Sequence, residues 1–118
     1  MISKPVGLEG SIALARTTAR VPRAVLVHGP SMVPTLRHGD AVLVWRRARV
    51  RPGDVVIARF RSRPELLIVK RAVRAHEGGW WLESDNEFVT DDSRVHGTAD
   101  VLGRVVLRYA PVRRLGWI

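Results

Sequence analysis

Six short apolar runs, each closed by turn-forming residues, constrain this chain more than any other feature. They are Ala24–His28, Ala41–Arg46, Val55–Phe60, Leu66–Arg74, Trp80–Glu83 and Leu102–Tyr109, rich in Val, Leu, Ile and Trp. Such side chains suit a pleated, partly buried surface, and runs this short read as strands sooner than helices. Turn chemistry separates them: His38-Gly39-Asp40, Arg51-Pro52-Gly53-Asp54, Arg63-Pro64, Glu77-Gly78-Gly79 and Ser84-Asp85-Asn86. Two Gly-Asp pairs directly precede a valine-rich run, a repeated way of entering a strand. The pattern predicts a mostly β, small, coiled antiparallel fold, closed or partly closed so that few edges stay open.

Outside those runs, Glu9–Arg20 is the one stretch that reads as a helix, weakened by Thr17 and Thr18 near its end. A chain of 118 residues fits one domain. Residues 24–118 are expected to form it, with 1–23 as an N-terminal segment, helical or mobile. The polar stretch Asp85–Gly97 reads as a long loop, and such loops tend to carry function.

A hydrophobic fraction of 46% and a charged fraction of 26% suit a folded globular chain and exclude a disordered one. The absence of cysteine excludes disulfide scaffolds, thiol enzymes and Cys-ligated zinc. No run approaches the roughly 20 apolar residues that span a bilayer. The patch Ile12–Ala15 is too short for the core of a secretory signal. The simplest placement on these grounds is cytoplasmic.

The formal charge is +9, and eighteen of the twenty basic residues are arginine; only Lys4 and Lys70 are lysine. The arginines are spread along the chain, with denser runs at Arg46–Arg51 and Arg59–Arg63. This suits a solvated basic surface, and it also suits contact with acidic partners or anionic headgroups.

Against that background a lysine inside an apolar run stands out. Lys70 follows Leu66-Leu67-Ile68-Val69, and strand periodicity puts Leu66, Ile68 and Lys70 on one face. Desolvation there disfavours the ammonium and lowers its pKa, which arginine cannot match because its guanidinium stays protonated. Lys70 is thus a candidate general base. The plainer alternative is a strand-end lysine whose amine reaches water.

Ser31 is the matching nucleophile. Gly29, Pro30 and Pro34 bracket it, so its backbone is neither regular strand nor helix. A fixed bend there offers a hydroxyl and a backbone N–H to one substrate atom, for attack and oxyanion stabilisation together. An ordinary proline-rich turn serine is the alternative. His28, His38 and Asp40 leave a Ser/His/Asp triad open, since triads assemble in space. The four histidines show no metal-ligand spacing, no phosphate loop appears, and no metal or cofactor is expected.

Taken in order, Ser31-Met32-x-Pro34-Thr35, Gly39-Asp40, Gly53-Asp54-Val55-Val56, Val69-Lys70-Arg71, Asp85-Asn86 and Asp92-Ser93-Arg94-x-x-Gly97 resemble the signal peptidase I family of serine proteases. The match spans roughly residues 25–110. The resemblance implies the coiled β fold of that family and a Ser/Lys dyad, with Ser31 as nucleophile and Lys70 as general base. It also implies that Thr90 orients the lysine, that Asp92 and Arg94 shape the loop around Ser93, and that the Ser31 N–H donates to the oxyanion. Gly29 stands where some members carry a second hydroxyl donor. Pro34, Asp85 and Asn86 shape the site, and Met32 is a candidate for substrate contact.

Two departures narrow the resemblance. Signal peptidases proper carry an N-terminal membrane anchor, and many carry a β insertion after the lysine; here Lys70 and Asp85 are fifteen residues apart. This minimal, arginine-rich core, with Arg63-Pro64-Glu65-Leu66, Gly78-Gly79-Trp80-Trp81-Leu82 and Leu107-Arg108-Tyr109, is similar to the maturation proteases of nickel-type superoxide dismutase in actinobacteria. That likeness implies removal of an N-terminal extension from a dismutase precursor, with the precursor as protein partner and no nucleic acid. Three alternatives stay open. One is processing of exported or membrane proteins, docking peripherally through arginines and Trp45, Trp80 or Trp117. The second is the self-cleaving domain of SOS-type repressors. The third is a non-catalytic, arginine-rich nucleic-acid-binding β module.

Overall fold

A computed structural model describes residues 7–8, 22–46 and 48–118. Its strands are β1 (Gly7–Leu8), β2 (Ala24–Val27), β3 (Ala41–Trp45), β4 (Val55–Phe60), β5 (Arg63–His76), β6 (Gly79–Glu83), β7 (Ala99–Ala110) and β8 (Gly116–Trp117). One helical turn, α1 (Ser93–His96), lies between β6 and β7, and a 3-10 turn, Val112–Arg114, follows β7. The helix expected over Glu9–Arg20 lies outside the described residues.

All strands join one sheet in the order β1-β2-β3-β7-β4-β5-β6. A further pairing of Trp80 with Ala99 brings β6 onto β7, so β7, β4, β5 and β6 close into a ring. Closure demands a small residue at the crossing. A Cβ on Gly79 would stand 2.4 Å from the Ala99 carbonyl oxygen. The long β7 serves both parts, because β3 and β8 pair with its C-terminal half. All pairings are antiparallel except β1 with β2. The coiled, partly closed β fold read from the sequence is the fold observed.

The core has two compartments. Val56, Ala58, Phe60, Ile68, Ala72, Leu82 and Ala99 fill the ring. Val25, Val27, Met32, Leu36, Val42, Val44, Val55, Ile57, Leu67, Val69 and Val105 pack between the ring wall and β2–β3. Strands β4 and β5 therefore bury both faces, which is why Val55-Val56-Ile57-Ala58 and Leu67-Ile68-Val69 are continuous apolar runs without polar alternation.

One boundary differs in an informative way. Arg63-Pro64 reads as a turn, yet β5 already begins at Arg63, paired with Phe60 across a two-residue turn at Arg61-Ser62. Proline is tolerated there because it sits at the start of the strand, where few ladder donors are needed.

Candidate active site

The segment after β2 leaves the sheet at Gly29, whose φ of 82° is left-handed and favours glycine. Its N–H donates to His38 Nδ1 at 3.1 Å. Ser31, half-buried, follows in a run of turns that ends where Met32 and Leu36 enter the core. Other bonds hold this segment from outside. Arg108 Nη1 donates to the Thr35 carbonyl oxygen at 2.8 Å, and Asn86 donates from its N–H to the Ser31 carbonyl oxygen at 2.9 Å. Asn86 Nδ2 donates to the Pro30 carbonyl oxygen at 3.1 Å. The Ser31 backbone is thus clamped on both sides.

Lys70 lies on β5 directly opposite Val56 and on the same face as Ile68 and Ala72, which are ring-core residues. The residue is 4% exposed. Its Nζ lies 3.1 Å from Ser84 Oγ. Ser84 and Asn86 are two residues apart, so a single short segment touches the Lys70 amine at one end and the Ser31 backbone at the other.

That segment is anchored at Asp85 by two side chains, Arg71 and Thr35. Arg71 donates from Nε to Asp85 Oδ1 at 3.0 Å and from Nη2 to Oδ2 at 2.5 Å. Its Nη1 donates to the Gly53 carbonyl oxygen at 2.8 Å. Thr35 Oγ1 donates to Asp85 Oδ2 at 2.6 Å. Burial alone would raise the Asp85 pKa; the bonds from Arg71 and Thr35 outweigh it and hold the carboxyl below its ordinary range. Arg71 therefore ties four of the sequence motifs together, a role that its place beside Lys70 hinted at and residue-type reasoning missed.

Asp92, with a fully buried side chain, caps α1 and accepts from the Ser84 N–H at 2.7 Å and from Arg94 Nη2 at 2.7 Å. Burial pushes its pKa up, and the bonds from Arg94 and the Ser84 N–H bring it below the ordinary value. Ser93 Oγ accepts from the Leu82 N–H at 2.8 Å. The Asp92-Ser93-Arg94 sequence thus pins the end of β6 and, through it, Ser84.

Several expected residues lie elsewhere. Met32 is 0% exposed and belongs to the core, so it offers no surface to a substrate. Near the Ser31 segment, a shallow depression of about 450 Å³ is lined instead by Val33, Pro34, Asp85, Asn86, Glu87 and Phe88. Thr90 is exposed on the loop, its carbonyl accepting from the Asp92 N–H at 2.8 Å. The triad alternative finds no support at Asp40. Its oxygens accept from Arg114 Nη1 at 2.6 Å and from the Arg37 N–H at 2.8 Å, while His38 Nδ1 takes the Gly29 N–H.

One pinned loop thus joins a clamped turn serine to a buried lysine, and the chain belongs to the Peptidase S24-like family, whose model matches residues 7–106. It is similar to mitochondrial inner membrane protease subunit 1 of Xenopus tropicalis, 29% identical over 81% of this chain and 74% of that protein. The human protein of the same name is 29% identical over 80% and 73%. The Arabidopsis thaliana mitochondrial ATP-independent inner membrane protease subunit 1a is 29% identical over 76% and 71%. These relatives correct the cytoplasmic placement expected from the sequence, since all three are named for a membrane. Apolar runs this short fall below the length of a membrane-spanning helix; they say nothing of which surface a chain works on. Among the described residues, no helix is long and apolar enough to cross a membrane.

Proposed function

We propose that this chain is a Ser/Lys endopeptidase that removes N-terminal extensions from precursor proteins at a membrane surface. Ser31 is the nucleophile and Lys70 the general base. The observation that carries the reading is the Ser84–Asn86 segment, which touches Lys70 Nζ at one end and the Ser31 carbonyl at the other. Burial among Val56, Ile68 and Ala72 favours the neutral amine. Lys70 then takes the proton of Ser31 Oγ as that oxygen attacks the scissile carbonyl. The protonated amine supplies the leaving amine with its proton, and a water activated by the same lysine releases the acyl-enzyme. The Ser31 N–H donates to the oxyanion. Gly29 has no side chain to add a second donor.

A membrane-borne substrate is favoured by one face of the fold. Leu43 stands opposite Leu107, and Leu107 opposite Trp117, in a row across β3, β7 and β8. Trp117 is 81% exposed and Trp45, on the same face as Leu43, 57%. Arg104 lies over the Trp45 ring at 5.5 Å. Exposed indoles beside arginine suit an anionic bilayer interface. The nickel-type superoxide dismutase precursor rests on the sequence resemblance alone and stands as the rival substrate.

Intact mass spectrometry of two precursors tests the choice, one a membrane preprotein in anionic vesicles and the other a nickel superoxide dismutase precursor. Trimming of the preprotein by wild type and not by Ser31→Ala is expected. Trimming of the dismutase precursor alone would replace the membrane substrate with that one.

A further inference from the structure

The two polar groups of Ser84 go to two different places. Its N–H donates to the buried carboxylate of Asp92 at 2.7 Å, and its Oγ lies 3.1 Å from Lys70 Nζ. Just upstream, Ser93 Oγ holds the Leu82 N–H. The position of the Ser84 backbone is therefore set by bonds that do not use its own side chain, and the hydroxyl is left for the lysine.

We propose that Ser84 is a positioning residue for the Lys70 amine, its hydroxyl oxygen accepting an N–H from Nζ and so fixing where the lone pair points. The proposal rests on the Ser31/Lys70 reading given above. A neutral amine carries two N–H bonds and one lone pair, and rotation about Cε–Nζ sweeps the lone pair through a circle. An acceptor beside Nζ engages one N–H and ends that sweep. The same oxygen accepts more strongly from the ammonium, once Ser31 has given up its proton. Ser84 keeps its own hydrogen throughout, so the proton balance remains between Ser31 and Lys70. The resemblance assigns this task to Thr90, which lies exposed on the loop.

Lysine scarcity makes a direct test possible. With Lys4 replaced by arginine, Lys70 is the sole lysine, and carbon-13 lysine labelling gives one side-chain signal to follow against pH. Among the described residues, charged groups on the elements packed against this part of β5 are Asp54 before β4, Arg59 on β4, Glu83 on β6, and Asp85, Glu87, Asp91, Asp92 and Arg94 on the loop. All are kept in every variant, as is Arg71. Removing an acceptor harms the ammonium more than the neutral amine. Ser84→Ala should therefore move the Lys70 midpoint down by about half a pH unit or more, and Ser84→Thr should restore it. In cleavage, Ser84→Ala should lower kcat about tenfold with KM little changed, and the acid limb of the pH profile should move with the midpoint. Ser84→Ala keeps the N–H bonded to Asp92, so loss of loop structure does not mimic the effect. An unmoved Lys70 midpoint in Ser84→Ala, or a shift found in Thr90→Ala instead, would overturn the proposal. Cleavage that survives both Ser31→Ala and Lys70→Ala would overturn the dyad reading beneath it, whatever the titration shows.

Discussion

Arg71 and Asp85 form a two-point bond one residue beyond Lys70, at 3.0 and 2.5 Å, and so lock the lysine strand to the loop that clamps Ser31. Both side chains are mostly buried. Arg71→Gln leaves Asp85 with Thr35 as its remaining side-chain donor and should cost about 1–3 kcal/mol of stability, read by urea unfolding. Asp85→Asn should cost a similar amount. The double variant should fall short of the sum by a coupling of about 0.5–3 kcal/mol, as for any contacting pair.

Acid should loosen the site before the core. Asp85 and Asp92 both titrate below their ordinary 3.8 in the folded chain. A carboxyl with a lowered folded pKa stabilises at pH values above its unfolded pKa, and that contribution disappears as pH falls through the folded one. Unfolding midpoints should hold steady from neutral pH down to about 5 and drop below about 4. Asp92→Asn should be less stable at neutral pH and lose less on acidification. An equal acid loss in that variant would remove Asp92 from the explanation.

Met32 should report on the core and not on specificity. Met32→Ala should destabilise by about 2–5 kcal/mol in thermal or urea melts, the usual cost of emptying a fully buried site. Its cleavage-site preference should match wild type. Altered preference is expected instead from Phe88→Ala, since Phe88 lines the depression beside the Ser31 segment.

The tryptophan face should be separable from catalysis. Trp45→Ser with Trp117→Ser should weaken flotation with anionic vesicles about tenfold, leaving melting temperature and cleavage of a soluble peptide near wild type. These two side chains are exposed and contribute little to the core. Unchanged flotation would remove this face from the membrane reading.

Much of the fold was legible because its strands carry their own punctuation. Val55–Phe60 is found with the predicted bounds, and the other five runs differ by a few residues at their ends. Strand β5 is longer than Leu66–Arg74 because exposed residues at both ends pair with β4 and β6, a gain of backbone bonds that apolar patterning does not register. Closure was expected, but the place where the ring closes was illegible, since it depends on Gly79 and Ala99 meeting from strands far apart in sequence.

The site divides along similar lines. Lys70 was readable because a lysine in an apolar run asks for an explanation, and its burial answers to the two-faced packing of β5. Ser84 was read only as a turn residue, because nothing in its sequence setting tells that its hydroxyl reaches a lysine fourteen positions away. Met32 was misplaced for a related reason. A side chain next to a nucleophile can point either to solvent or to the core, and Leu36 four residues on, buried in the same cluster, was the available signal.

The most direct measurement of the central claim is cleavage by Lys70→Arg, set beside Lys70→Met and Ser31→Ala, each first shown to be folded by circular dichroism. Arginine keeps the positive charge and cannot serve as a neutral base at any accessible pH. All three variants should leave the precursor uncut, with its intact mass unchanged. A folded Lys70→Arg protein that trims the precursor at a rate near wild type would contradict the assignment of Lys70 as general base.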